Sequence, residues 1–132
     1  MKVRDTIKLI EQDGWRLVRT RGSHRQYRHA VKTGLVTVPG KLSNELAPGY
    51  ARQRAEASRT EAMKYLIVIE KTGTGYSAYS PDLPGCVSTG ATLEEVERNM
   101  HEAIDFHLDG LRKEGFPIPQ PSSASAYVDV SA

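Results

Sequence analysis

The sequence predicts an α+β protein built as two small domains, an α-β-β-β-α unit followed by a β-β-β-α-β unit. Three observations lead there. Short β-prone runs recur in both halves, separated by glycine-marked turns. One amphipathic helix of about 20 residues stands late in the chain, opened by the capping box Thr92/Glu95. Charge divides the chain: residues 1–62 carry 13 Lys/Arg against six acids, net +7, and residues 63–132 carry five against ten, net −5.

In the first half, Val3, Ile7 and Ile10 share one face of a short helix, and Gly14 stops it. Trp15–Arg21 alternates Trp15 and Leu17 with basic residues, as a strand does. Gly22-Ser23 turns the chain into a second strand around Gln26-Tyr27-Arg28. Thr33-Gly34 turns it again into Leu35–Val38, closed by Pro39-Gly40. Three strands on tight turns make an antiparallel meander with one face left for helices. From Leu46 onward, Ala51-Arg-Gln-Arg-Ala-Glu-Ala57 favours helix by propensity, though beyond Leu46 and Tyr50 its apolar side is only alanine. Residues 58–62 read as a linker, giving domains at 1–57 and 63–132.

In the second half, Tyr65–Ile69 is apolar on both alternating sets and reads as a strand buried on both faces. Thr72–Gly75 is a hairpin turn into Tyr76–Ser80, and the loop Pro81–Gly85 leads to a third strand near Cys86–Ser88. The long helix carries Leu93, Val96, Met100, Ile104, His107, Leu108 and Leu111 along one side and ends at Gly115 and Pro117. Ala126–Val130 reads as a last strand.

Composition removes several classes of function. No apolar run approaches the roughly 18–20 residues that span a bilayer, and the charged N-terminus is not a signal peptide. Cys86, the lone cysteine, excludes an internal disulfide and suits a reducing cytoplasm. A basic half beside an acidic half points to nucleic acid and to a partner that masks it.

The chemistry concentrates at His24. It stands at the start of the second strand, among Arg19, Arg21, Arg25 and Arg28. An imidazole titrating near neutrality can take the proton of a ribose 2′-hydroxyl, and guanidinium groups can hold the phosphate beside it. Ser23 and Lys41 complete the candidate RNA-binding set. A lone histidine in a hairpin is, from spacing alone, more often structural or a simple RNA contact. No metal site and no cofactor is expected: His24 and His29 lie five apart with no cysteine near them, and no zinc spacing or phosphate loop occurs. His107 falls on the apolar stripe of the long helix, where a satisfied core histidine is expected. His101 pairs with Asp105 one turn on, and Cys86 is read as packing.

These motifs carry a resemblance. Residues 1–50 resemble the HicA mRNA interferase toxins through Asp13-Gly14-Trp15, Gly22-Ser23-His24 with Tyr27, Leu35-Val-Thr-Val-Pro39 and Leu46-Ala-Pro-Gly49. Residues 63–123 resemble the HicB antitoxins through Tyr65-Leu-Ile-Val-Ile-Glu70, Gly75-Tyr76, Tyr79-Ser-Pro-Asp-Leu-Pro-Gly-Cys86, Gly90-Ala-Thr-Leu-Glu-Glu95 and Pro117-Ile-Pro119. The resemblance implies a double-stranded-RNA-binding-like fold first, with His24 in the catalytic position, and a partial ribonuclease-H-like fold second. It implies a toxin–antitoxin fusion in which the acidic domain covers a latent mRNA-cleaving endoribonuclease, within one chain or by exchange in a homodimer. The chain departs from the toxins in its alanine- and arginine-rich second helix. It carries no C-terminal DNA-binding module, so DNA binding by this chain alone is not expected. The alternative is a non-catalytic antitoxin or RNA-binding protein with a defective toxin remnant.

Overall fold

The computed structural model describes residues 1–47 and 64–131. Its order is α1 (Val3–Gln12), β1 (Trp15–Arg21), β2 (His24–His29), β3 (Leu35–Pro39), β4 (Val68–Thr72), β5 (Gly75–Tyr79), β6 (Val87–Gly90) and α2 (Leu93–Glu114). The fold is α+β, as the sequence predicts. Among the described residues no helix is long and apolar enough to cross a membrane. The second helix expected of the first half and the 58–62 linker lie outside the described residues.

α1 has no side-chain N-cap, since Lys2 occupies that position. The loop after β3 supplies the missing acceptors: the Asn44 and Leu42 carbonyls take the Val3 and Arg4 amides at 2.8 and 3.0 Å. The first sheet is an antiparallel meander, β1-β2-β3, with a bulge between Leu17 and Arg19. One of its faces packs Trp15, Tyr27, Val36 and Val38 against Val3, Ile7 and Ile10 of α1.

The second sheet has the order β4-β5-β6. α2 lies over it and buries Val96, Met100 and Ala103 with Ala78, Leu83 and Cys86. Thr92 Oγ1 accepts the Glu95 amide at 3.1 Å, while the Glu95 carboxylate takes the Ala91 amide. The cap works as expected, displaced by one residue on its return bond. Gly115 closes the helix at φ +74°, with the Phe116 amide bonded back to the Leu111 carbonyl at 2.9 Å.

Two expected strands differ. β4 begins at Val68 rather than Tyr65, because its pairing with β5 ends at Val68↔Tyr79. As an edge strand it is half-buried, not enclosed on both faces. Ala126–Val130 forms no strand: Tyr127, Val128 and Val130 are exposed and unpaired. Upstream, Asp82 accepts the Ser122 and Ser123 amides, each at 2.9 Å, and holds the chain there to the Pro81–Gly85 loop. β-propensity without a neighbouring edge does not make a strand.

The two sheets meet at their edges. A parallel bridge joins Thr37 of β3 to Cys86, with the Thr37 amide donating to the Gly85 carbonyl at 2.6 Å. Val87, the next residue, inserts into the core of the first half.

Candidate functional site

β2 sends its side chains alternately to two faces. Tyr27 goes to the α1 core, and Arg25, two residues before it, shares that side with its guanidinium bonded to the Tyr27 phenol. His24, Gln26 and Arg28 go to the other face, where the second half lies. The β1 bulge brings Arg19 and Arg21 to that same face, and β3 adds Thr37. Of the sequence-predicted residues, then, His24, Arg19, Arg21 and Arg28 share one surface, while Arg25 is turned from it. Ser23 and Lys41 stand at its rim, lining a polar cleft of about 360 Å³ with Asn44, Ser88, Thr89 and Asn99.

His24 is only 2% exposed. Its Nε2 shares a 2.9 Å hydrogen bond with Ser88 Oγ of β6, so the atom meeting the imidazole comes from the opposite half. Burial holds the His24 pKa below its ordinary value, partly offset by the Glu102 carboxylate. The ring is therefore neutral at neutral pH and able to accept a proton.

Each arginine on this face meets the acidic half. Arg19 bonds Glu114 at 2.5 Å and Arg28 reaches the same carboxylate at 3.1 Å. Arg21 pairs with Asp109 at 3.0 Å and its guanidinium stacks 4.8 Å from the Phe106 ring centre. Arg28 stands over Phe116 at 5.4 Å.

Between the arginines and β3 runs a buried polar chain. Arg19 donates to Gln26 Oε1 at 2.5 Å, and Gln26 Nε2 donates to Thr37 Oγ1 at 3.0 Å and to the Phe106 carbonyl at 3.2 Å. Thr37 meets His107 Nδ1 at 2.7 Å, and the His107 ring donates to the Pro84 carbonyl. Burial lowers the His107 pKa to about 4. The histidine is satisfied, as its place on the stripe suggests, but its hydroxyl partner belongs to the other half.

Sequence reasoning did not find Ser88, Gln26, Thr37, Asp109 or Glu114 as members of this face. One signal for it exists: Gly110, a poor helix former inside an otherwise strong helical pattern, ahead of the Gly115 that ends it. Cys86 is fully buried and burial raises its thiol pKa far out of the reactive range. His101 lies 3.5 Å from Asp105, as expected. Among the described residues no His, Cys, Asp or Glu cluster could hold a metal ion.

Comparison with known proteins finds two families, one after the other along the chain. Residues 3–58 match the family model described as HicA toxin of bacterial toxin-antitoxin. Residues 65–131 match that described as HicB-like antitoxin of bacterial toxin-antitoxin system. A 14.9 kDa protein from the rep-hol intergenic region of Haemophilus phage HP1 is 40% identical over 67 residues, covering 51% of this chain and 50% of that one. A UPF0150 protein of Thermoplasma acidophilum is 37% identical over 62 residues, 46% of this chain and 90% of its own. One from Synechocystis is 40% identical over 57 residues, 42% of this chain and 72% of its own. The chain thus spans about half the length of the phage relative. No solved structure matches it.

Proposed function

We propose, for a chain that belongs to the HicB-like antitoxin family and carries a HicA toxin domain ahead of that domain, a latent mRNA-cleaving endoribonuclease silenced by its own second half. The toxin–antitoxin fusion is the premise. The observation that carries the finer reading is the contact of His24 with Ser88: a neutral imidazole among arginines, with a hydroxyl of the acidic half on its ring nitrogen.

In the open enzyme, His24 would take the proton of a ribose 2′-hydroxyl. The freed 2′-oxygen would attack the adjacent phosphorus and expel the 5′-oxygen, which takes a proton from water, leaving a 2′,3′-cyclic phosphate and a 5′-hydroxyl. Arg19, Arg21 and Arg28, released from Glu114 and Asp109, would hold the phosphates and stabilise the charge that builds on them. Ser23 and Lys41 would extend the RNA track at the rim, and Arg25, on the α1 side, would serve it from outside this face. No step requires a metal ion or cofactor. Two chains exchanging their acidic domains would form the same seam, so a homodimer is compatible with this inhibition. A cytoplasmic setting follows from the substrate.

The test uses the full chain. The intact protein should leave RNA uncut. Glu114→Lys, which sets a cation against Arg19 and Arg28, should release cleavage that persists in EDTA and disappears when His24→Ala is added. Cleavage that stops with chelator yet survives His24→Ala would defeat the mechanism.

A further inference from the structure

Gly110 sits near the C-terminal end of α2, still inside the helix, where alanine would make a stronger helix. A methyl built on its Cα would stand 2.6 Å from Gln26 Cδ and 2.8 Å from Gln26 Nε2, and closer still to Oε1. Contacts of that kind are usually relieved when a long side chain swings aside. Here Gln26 has nowhere to go: it is fully buried, and its amide is held by Arg19, Thr37 and the Phe106 carbonyl. Moving it would leave buried polar atoms without partners, which proteins rarely tolerate.

We propose that Gly110 and Gln26 form the specificity lock of the seam, the contact that decides which HicA-type domain this HicB-type domain accepts. The proposal rests on the toxin–antitoxin reading above and adds its choice of partner. The accepted partner presents, on its second strand, a buried glutamine pointing at the missing Cβ, and beside it a threonine hydroxyl in reach of His107. Recognition by a buried amide is sharp. A domain with a bulkier residue at position 26 collides with the helix backbone, and one with an apolar residue forfeits the bond to Phe106. Gly85 makes the same kind of fit across the bridge: it lies at φ +87°, and a Cβ there would meet Val36 Cα at 3.3 Å. Gly85 thus lets the two backbones approach, while Gly110 makes room for the Gln26 side chain.

The lock is tested in the full-length protein by amide hydrogen exchange, read at Thr37, whose amide bonds the Gly85 carbonyl across the seam. Gly110→Ala should raise exchange at Thr37 about tenfold or more while α2 itself stays protected, because alanine strengthens the helix. Gln26→Ala should have a smaller effect, and adding it to Gly110→Ala should bring exchange back to the level of Gln26→Ala alone, the methyl now filling the vacated space. Unchanged exchange in Gly110→Ala overturns the proposal, as does a double variant no better than Gly110→Ala. RNA cleavage is assayed on the same samples. An open Gly110→Ala seam with no cleavage would leave the lock standing and count against the ribonuclease; a seam that never opens would sink the lock alone.

Discussion

The two faces of the first sheet are both buried, but by opposite chemistry. Toward α1 the sheet presents Trp15, Tyr27, Val36 and Val38, an apolar surface with no use except packing. Toward α2 it presents His24, Gln26, Arg28 and Thr37, and each of these finds a polar or charged partner from the second half. An apolar face stripped of its cover would collapse or aggregate. A polar face stripped of its cover can be re-satisfied by water or by phosphates. The contrast describes a domain whose one side is committed to folding and whose other side can change partners.

The largest effect should come from reversing the charge that two arginines of the seam share. Glu114 serves Arg19 and Arg28 together, and the Arg19 and Glu114 side chains are each only about one-fifth exposed. Glu114→Lys should weaken the seam by about 4 kcal/mol, as expected when a mostly buried ion pair is broken and like charges are left facing. Hydrogen exchange should locate the loss at β3 and α2 and spare the α1 face. Equal loss at Ile7 and Ile10 amides would show that the two faces are not separable.

Acid should act on the same face and not on the other. His107 stays neutral in the folded protein down to a pKa of about 4, whereas the unfolded chain takes up a proton near 6.5. Its contribution is therefore complete above about pH 6.5 and is lost as pH falls toward 4, by roughly 3 kcal/mol in total. His24, whose pKa is also lowered by burial, adds to the slope in the same direction. Urea denaturation at pH 7 and pH 5 should show this loss, and His107→Gln should flatten it. A slope unchanged in that variant would mean that His107 is not the buried group that governs acid sensitivity.

How far this was legible in the sequence follows the same division. The meander, α1, the Gly14 stop and the capped α2 rest on local signals, namely turns, periodicity and caps, which act within a few residues. The seam is non-local: Ser88 meets His24 across 64 positions, and no spacing rule joins them. Charge asymmetry indicated that the halves belong together, and alternation placed His24 on one face of β2. The same alternation sets Arg25 opposite Arg28, but along β1 it would put Trp15 and Leu17 on the face of Arg19 and Arg21; the bulge between Leu17 and Arg19 that separates them is decided by packing. Ala126–Val130 fails for the converse reason: its alternation is that of a strand, but a strand also needs an edge with which to pair.

The smallest change is the most discriminating. Ser88 is buried, and its hydroxyl meets the His24 imidazole. Ser88→Ala removes one hydrogen bond and creates little space, so the seam should lose only about 1 kcal/mol and stay closed. The imidazole, however, would be left buried with that nitrogen unpartnered, and its titration, followed by NMR, should respond. If Ser88 donates to a lone pair of neutral His24, the bond favours the neutral form, and its loss should move the His24 pKa upward. A downward move would mean that His24 is the donor, with its acceptor nitrogen elsewhere. A ring so oriented would not present Nε2 as the base, and the assignment of that atom to the 2′-hydroxyl would fall even with the seam intact.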